Sequence, residues 1–172
     1  MTANENQGDK FHLPDQIPGG ADGNGDTTSD SLPWAIYSLD SAVPESNLRA
    51  LAAEMEGERY VVTIPDGEDI HLFHVAPTDS LYQPNLEAAL RTVLKQTHET
   101  KPDNEYFPYG CIVVHDKDWS TQGVWLVYID CDDDCPVTGV RIGLADVGSA
   151  CWSLRDDENC ASEIKRMYEL KN

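Results

Sequence analysis

Cys111-Ile112-Val113-Val114-His115, Val124-Trp125-Leu126-Val127-Tyr128-Ile129-Asp130 and Val140-Arg141-Ile142-Gly143-Leu144 are three apolar runs joined by short polar connections. β-Branched and aromatic side chains suit a pleated, half-buried surface, and short links between such runs favour antiparallel neighbours. An antiparallel meander is therefore expected over the second half of the chain. Further strands are expected at Trp34 to Leu39, Arg59 to Ile64 and Ile70 to Val75, the last two joined by turn chemistry at Pro65-Asp66-Gly67-Glu68.

Between the strands the period changes from two to about 3.6. Leu48, Leu51, Ala52 and Met55 recur at helical spacing between Pro44, which suits a first helical turn, and Gly57, which suits a helix end. Pro84 opens the clearest helix, with Leu86, Ala89, Leu90, Val93, Leu94 and Thr97 on one face. Asp156-Asp157-Glu158 places negative charge at the start of a last helix carrying Cys160, Ile164, Met167 and Tyr168. The order β-α-β-β-α-β-β-β-α implies an α+β (or α/β) two-layer domain, a mixed sheet of about six strands with three helices.

Residues 1–31 contain five glycines, two prolines and six acidic residues against the single Lys10. Such a stretch buries too little apolar surface to offset its ordering entropy, so it is expected as a disordered acidic tail before a single domain over residues 32–172.

The chain has 31 Asp and Glu against 12 Lys and Arg, a formal charge of −19. A surface of that sign is repelled by nucleic-acid phosphates and anionic membranes, so direct phosphate-mediated nucleic-acid binding is not expected. The longest apolar run, Val124 to Ile129, is six residues, against the roughly twenty a membrane-spanning helix needs. The first residues carry neither the basic start nor the apolar stretch of a secretory signal, and a soluble, intracellular, cytoplasmic protein is the expectation. Five cysteines are an odd number in a chain long enough to fold without staples, which favours reduced thiols.

The most unusual local feature is Asp130-Cys131-Asp132-Asp133-Asp134-Cys135. Asp130, Asp132, Asp133 and Asp134 could gather oxygen ligands for a hard cation, while the ordinary reading is a solvated hairpin loop in an acidic protein. Asp116 and Asp118 would not join them, because successive loops of a meander lie at opposite ends of the sheet. Cys131 and Cys135 are spaced C-x-x-x-C rather than C-x-x-C, and neighbouring carboxylates make thiols less reactive. In His71-Leu72-Phe73-His74, residues three apart on a strand point to opposite faces, so the two imidazoles are not expected to meet. His115, followed by Asp116 at a strand end, is the better acid-base candidate, although no nucleophile pairs with it.

Gly148-Ser149-Ala150-Cys151-Trp152 is similar to the Gly-Ser-Cys-Trp segment of papain-like proteases, but Ala150 interrupts it and no histidine follows Cys151. Phosphate-loop, nucleophile-elbow and zinc-protease motifs are absent, and no cofactor motif is evident. Leu39-Asp40-Ser41, Ile112-Val113-Val114-His115-Asp116, Val124 to Asp130, Val140-Arg141-Ile142 and the closing acidic helix occur in an order that resembles a family of small domains of unknown function from bacteria and fungi. The resemblance covers roughly residues 33–170 and implies no catalytic residues.

Three functional expectations follow from the residues. The first is a non-catalytic interaction or accessory protein, its acidic face steering a basic protein partner. The second is a small-molecule-binding protein or enzyme with a pocket at strand ends built from His115, Asp116 and Asp130. The third is an acidic mimic of nucleic acid. Deleting residues 1–31 is expected to leave the melting temperature within a few degrees, since such a tail contributes little burial. A large loss of stability in that truncation would move the domain boundary.

Overall fold

A computed structural model describes residues 32–57, 60, 67, 69–99, 105–129, 137–156 and 160–171. The expected tail, the expected strand Arg59–Ile64 apart from Tyr60, and the segment Asp130–Cys135 lie outside the described residues.

Strand β1 (Trp34–Ser38) is buried along its whole length. Helix α1 (Glu45–Glu56) starts after extended Pro44 and buries Leu48, Leu51, Ala52 and Met55. Gly57 ends it at a φ of 55°, a left-handed conformation open to glycine, and its N–H donates to the carbonyl of Ala53. Strand β2 is short (Phe73–Val75). Helix α2 (Leu86–Glu99) begins where the side chain of Asn85 accepts the N–H of Ala88 at 2.8 Å. Strand β3 (Gly110–Val114), the single turn α3 (Trp119–Gln122), strand β4 (Val124–Ile129) and strand β5 (Val137–Ile142) follow. Helices α4 (Leu144–Arg155) and α5 (Ala161–Tyr168) complete the chain.

The result is a mixed α+β fold around one five-stranded sheet in the order β2-β1-β3-β4-β5. β1 runs parallel to both β2 and β3, whereas β3, β4 and β5 form the expected antiparallel meander. From β1 the chain steps to one side for β2 and then across to the other for β3, so the winding reverses at β1. Helices α1, α4 and α5 pack as a contiguous group, and α2 packs against β3. The edge of β5 is covered where the N–H of Leu170 donates to the carbonyl of Arg141 and Glu169 bridges Ile142.

The sheet has five strands and the described residues hold five helices, against an expectation of about six and three. Besides the one-turn α3, the added helix is α4: the strand expected through Leu144 ends at Ile142, and Gly143 leads directly into a helix. Val147, Ala150, Cys151 and Leu154 form its buried stripe, but Gly148 and Ser149 are poor helix formers and obscured the period. Tertiary packing explains the glycine. A Cβ at Gly148 would stand 2.4 Å from the ring of Tyr60 and 3.1 Å from the carbonyl oxygen of Met55, so the missing side chain lets α4 approach α1.

A second glycine fits the centre of the sheet. Trp34 stacks on Phe107 with centroids 4.5 Å apart and lies tilted 6.2 Å from Tyr128. Its six-membered ring lies over Gly110, where a Cβ would meet Trp34 Cζ3 at 2.4 Å and the carbonyl oxygen of Val127 at 2.7 Å. Gly110→Ala is therefore expected to destabilise the protein by about 1–3 kcal/mol, the usual range for overpacking a filled core. Urea unfolding at neutral pH checks this, and a loss below about 0.5 kcal/mol would mean that the indole moves aside freely.

Candidate functional site

The ends of β1 and β3 lie side by side where the winding reverses, and the N–H of Leu39 donates to the carbonyl of Val114 at 2.8 Å. In open α/β sheets such reversal points are where ligands commonly bind. His115 follows β3 directly, with its Nδ1 3.3 Å from Asp116 Oδ2 and both side chains about 42% exposed. The Asp116 carboxyl is held below its usual value first by accepting the Asp118 N–H at 2.7 Å, burial opposes this, and His115 adds a smaller lowering. Asp40 is used in the same way, accepting the N–H of Ala42 at 2.8 Å. Both carboxylates thus fold their own loops.

Ile129 and Val137 close the opposite end of the meander from Val114, since Gly110 pairs with Tyr128 and Val113 with Trp125. Asp130, Asp132, Asp133 and Asp134, the expected cation ligands, lie outside the described residues. Among the described residues, no group of three or more His, Cys, Asp and Glu is placed to hold a metal ion. Cys111, Cys151 and Cys160 are free thiols, and burial pushes the Cys111 thiol up to about 12, far from a reactive thiolate.

A different place in the fold gathers polar groups around a cavity. Between α1 and β2 lies a cleft of about 330 Å³ whose walls include Arg49, Glu56, His71, Phe73 and His74. Glu56 organises it. This side chain is 6% exposed in the last turn of α1, where a negative charge meets the unfavourable end of the helix dipole. Two partners offset that cost: His71 Nδ1 lies 2.8 Å from Oε2, and the backbone N–H of Leu72 donates to Oε1.

The same contact changes the expected placement of the histidines. Ile70 to Val75 does not run as one strand, because Leu72 is a bend and β2 begins only at Phe73. The Leu72 N–H turns to Glu56 while its carbonyl accepts the N–H of Trp34 at 2.8 Å. The two-residue alternation is broken, and the rings of His71 and His74 approach with centroids 6.0 Å apart and a tilt of 46°. The expectation that they point to opposite faces is thereby corrected. Glu56 was not singled out in the sequence, although a glutamate beside the helix-ending Gly57 is placed against the dipole and so signals a dedicated partner.

The charges around the cleft are arranged by its walls. Arg49 Nη2 lies 2.5 Å from Glu45 Oε1, and the Glu45 carboxyl is held low first by this bond and then by the hydroxyl of Thr78. The His74 imidazole is held below its ordinary value, first by burial, then by His71, with a smaller push from Arg49, while Glu56 acts in the opposite sense. Its neutral form is favoured at pH 7. No family model, curated protein or solved structure matches the chain.

Because the folded His74 binds a proton less readily than the unfolded one, the unfolded state gains protons first as pH falls below about 6.5. The protein is therefore expected to lose stability on acidification through that window, and His74→Gln to reduce the loss. Urea midpoints at pH 7.5 and 5.5 for both chains check the sign. An unchanged pH slope in the variant would contradict it. Asp116, also lowered, contributes stability that is lost only below the ordinary aspartate value of 3.8, outside this window.

Proposed function

We propose that this protein is a non-catalytic binding protein that holds a small ligand bearing carboxylate or phosphate oxygens in the cleft between α1 and β2. The observation that carries the reading is the buried Glu56 fixing His71 beside His74 and Arg49 around one cavity of about 330 Å³. That volume falls at the lower end of the roughly 300–1,000 Å³ common for small-molecule sites. Arg49 supplies donors for oxygen atoms, and the Phe73 ring supplies an apolar wall. The described residues lining the cleft include no Ser, Thr, Cys or Lys for His71 or His74 to activate, which supports the non-catalytic reading.

A second reading, the acidic accessory protein with a basic partner, is favoured by the charge of −19. The two differ in their response to salt: steering by the whole surface fades above physiological ionic strength, whereas a ligand held inside a cleft is screened less.

Titrating a panel of metabolite-sized carboxylates and phosphates, followed by amide and imidazole chemical shifts, tests the first reading. At least one compound is expected to move Arg49, Glu56, His71 and His74 together, and Arg49→Ala to weaken it by about tenfold, the loss of one charged hydrogen bond. Shifts centred on His115 and Asp116 would place the site at the strand ends, and a panel without any shift in the cleft would overturn the proposal.

A further inference from the structure

We propose that His71 and His74 together form a binding site for a borderline divalent transition-metal ion such as Zn²⁺ or Ni²⁺, with Glu56 as the carboxylate that positions His71. The inference rests on the cleft being the binding site and specifies what meets its ligand first.

Three features of the cleft support it. Glu56 occupies Nδ1 of His71, so the imidazole is held with Nε2 outward, the carboxylate–histidine arrangement that fixes the tautomer and ring orientation of a metal ligand. Glu56 is itself held by the Leu72 N–H, so the support behind His71 is not a mobile surface carboxylate. The two rings stand 6.0 Å apart between centroids. Two imidazoles on one tetrahedral ion, with metal–nitrogen bonds of about 2.0–2.1 Å, need centroids about 5 Å apart, within reach of a small side-chain rotation.

The ligand chemistry sets the class of ion. Imidazole nitrogen suits Zn²⁺, Ni²⁺ and Cu²⁺, whereas Mg²⁺ and Ca²⁺ require several oxygens. Two protein ligands leave coordination positions open, consistent with the lack of a three-residue group among the described residues. Those positions suit water or the oxygens of the proposed ligand, with Arg49 placed to meet its remaining negative charge. Arg49 alone would repel a cation, but its charge is paired with Glu45, and the protein as a whole carries −19.

The test is calorimetric titration of the full, reduced chain with NiCl₂ or ZnCl₂ in excess Mg²⁺, which occupies the exposed carboxylates. One ion per chain is expected, with the ring resonances of His71 and His74 shifting together. His71→Ala and His74→Ala should each weaken binding at least tenfold, and Glu56→Gln by about 10–100-fold, the usual cost of losing an outer-shell partner. Urea midpoints on the same samples separate this from unfolding, and His74→Ala, which leaves the Glu56 contacts intact, decides alone if the other variants fail to fold. Undiminished affinity in His74→Ala, or no binding by the wild-type chain, would overturn the proposal. Repeating the ligand panel on EDTA-treated protein separates the two readings. A compound that binds there while no metal does would leave the cleft as a binding site and sink only the metal. Metal binding lost in His74→Ala, with no compound binding with or without the ion, would sink only the small-ligand reading.

Discussion

The carboxylate of Glu56 ties three parts of the structure together. One oxygen accepts the Leu72 N–H, the other meets the His71 ring, and the side chain belongs to the end of α1. Removing a carboxylate from water costs several kcal/mol, and its place near a helix C-terminus adds to that cost. The group is tolerable only because charge-assisted bonds occupy both oxygens. The edge strand depends on the same contact, since the backbone at Leu72 is divided between Glu56 on one side and β1 on the other.

That junction sits beside a strand buried along its whole length. β1 is fully buried, pairs in parallel with strands on both sides, and carries the indole that covers Gly110. The meander beyond β3 completes the sheet, and α1 and α4 come close because Gly148 leaves room for the Tyr60 ring. A rigid centre with a polar edge follows. The cleft is built where a helix end, a bend and a short edge strand meet, so its side chains are held by backbone on one wall and by a buried acid behind them.

Much of this was legible in the sequence. β1, β3 and β4 are runs of β-branched and aromatic residues, and α1 and α2 have apolar stripes bounded by Pro44, Gly57 and Pro84, so local pattern and tertiary structure agree there. α4 was hidden because Gly148 and Ser149 weaken its local signal while its stripe is stabilised by packing on α1. The cleft was hidden for a different reason. The partner that bends the chain at Leu72 lies 16 residues earlier, and period arguments along one segment carry no information about an acceptor on another. His115 and Asp116 lie at a strand end as expected, but Asp116 accepts the Asp118 N–H within its own turn, and the larger gathering of titratable groups formed where the alternation rule failed.

The most direct measurement is the tautomer of His71, read from long-range ¹H–¹⁵N correlations of its ring at pH 7.5 in the metal-free protein. A proton on Nδ1, protected from exchange and directed at Glu56, with Nε2 unprotonated and the ring close to that of His74, is the result this account requires. An Nε2-protonated ring that exchanges freely and shows no proximity to His74 would mean that Glu56 does not organise the cleft.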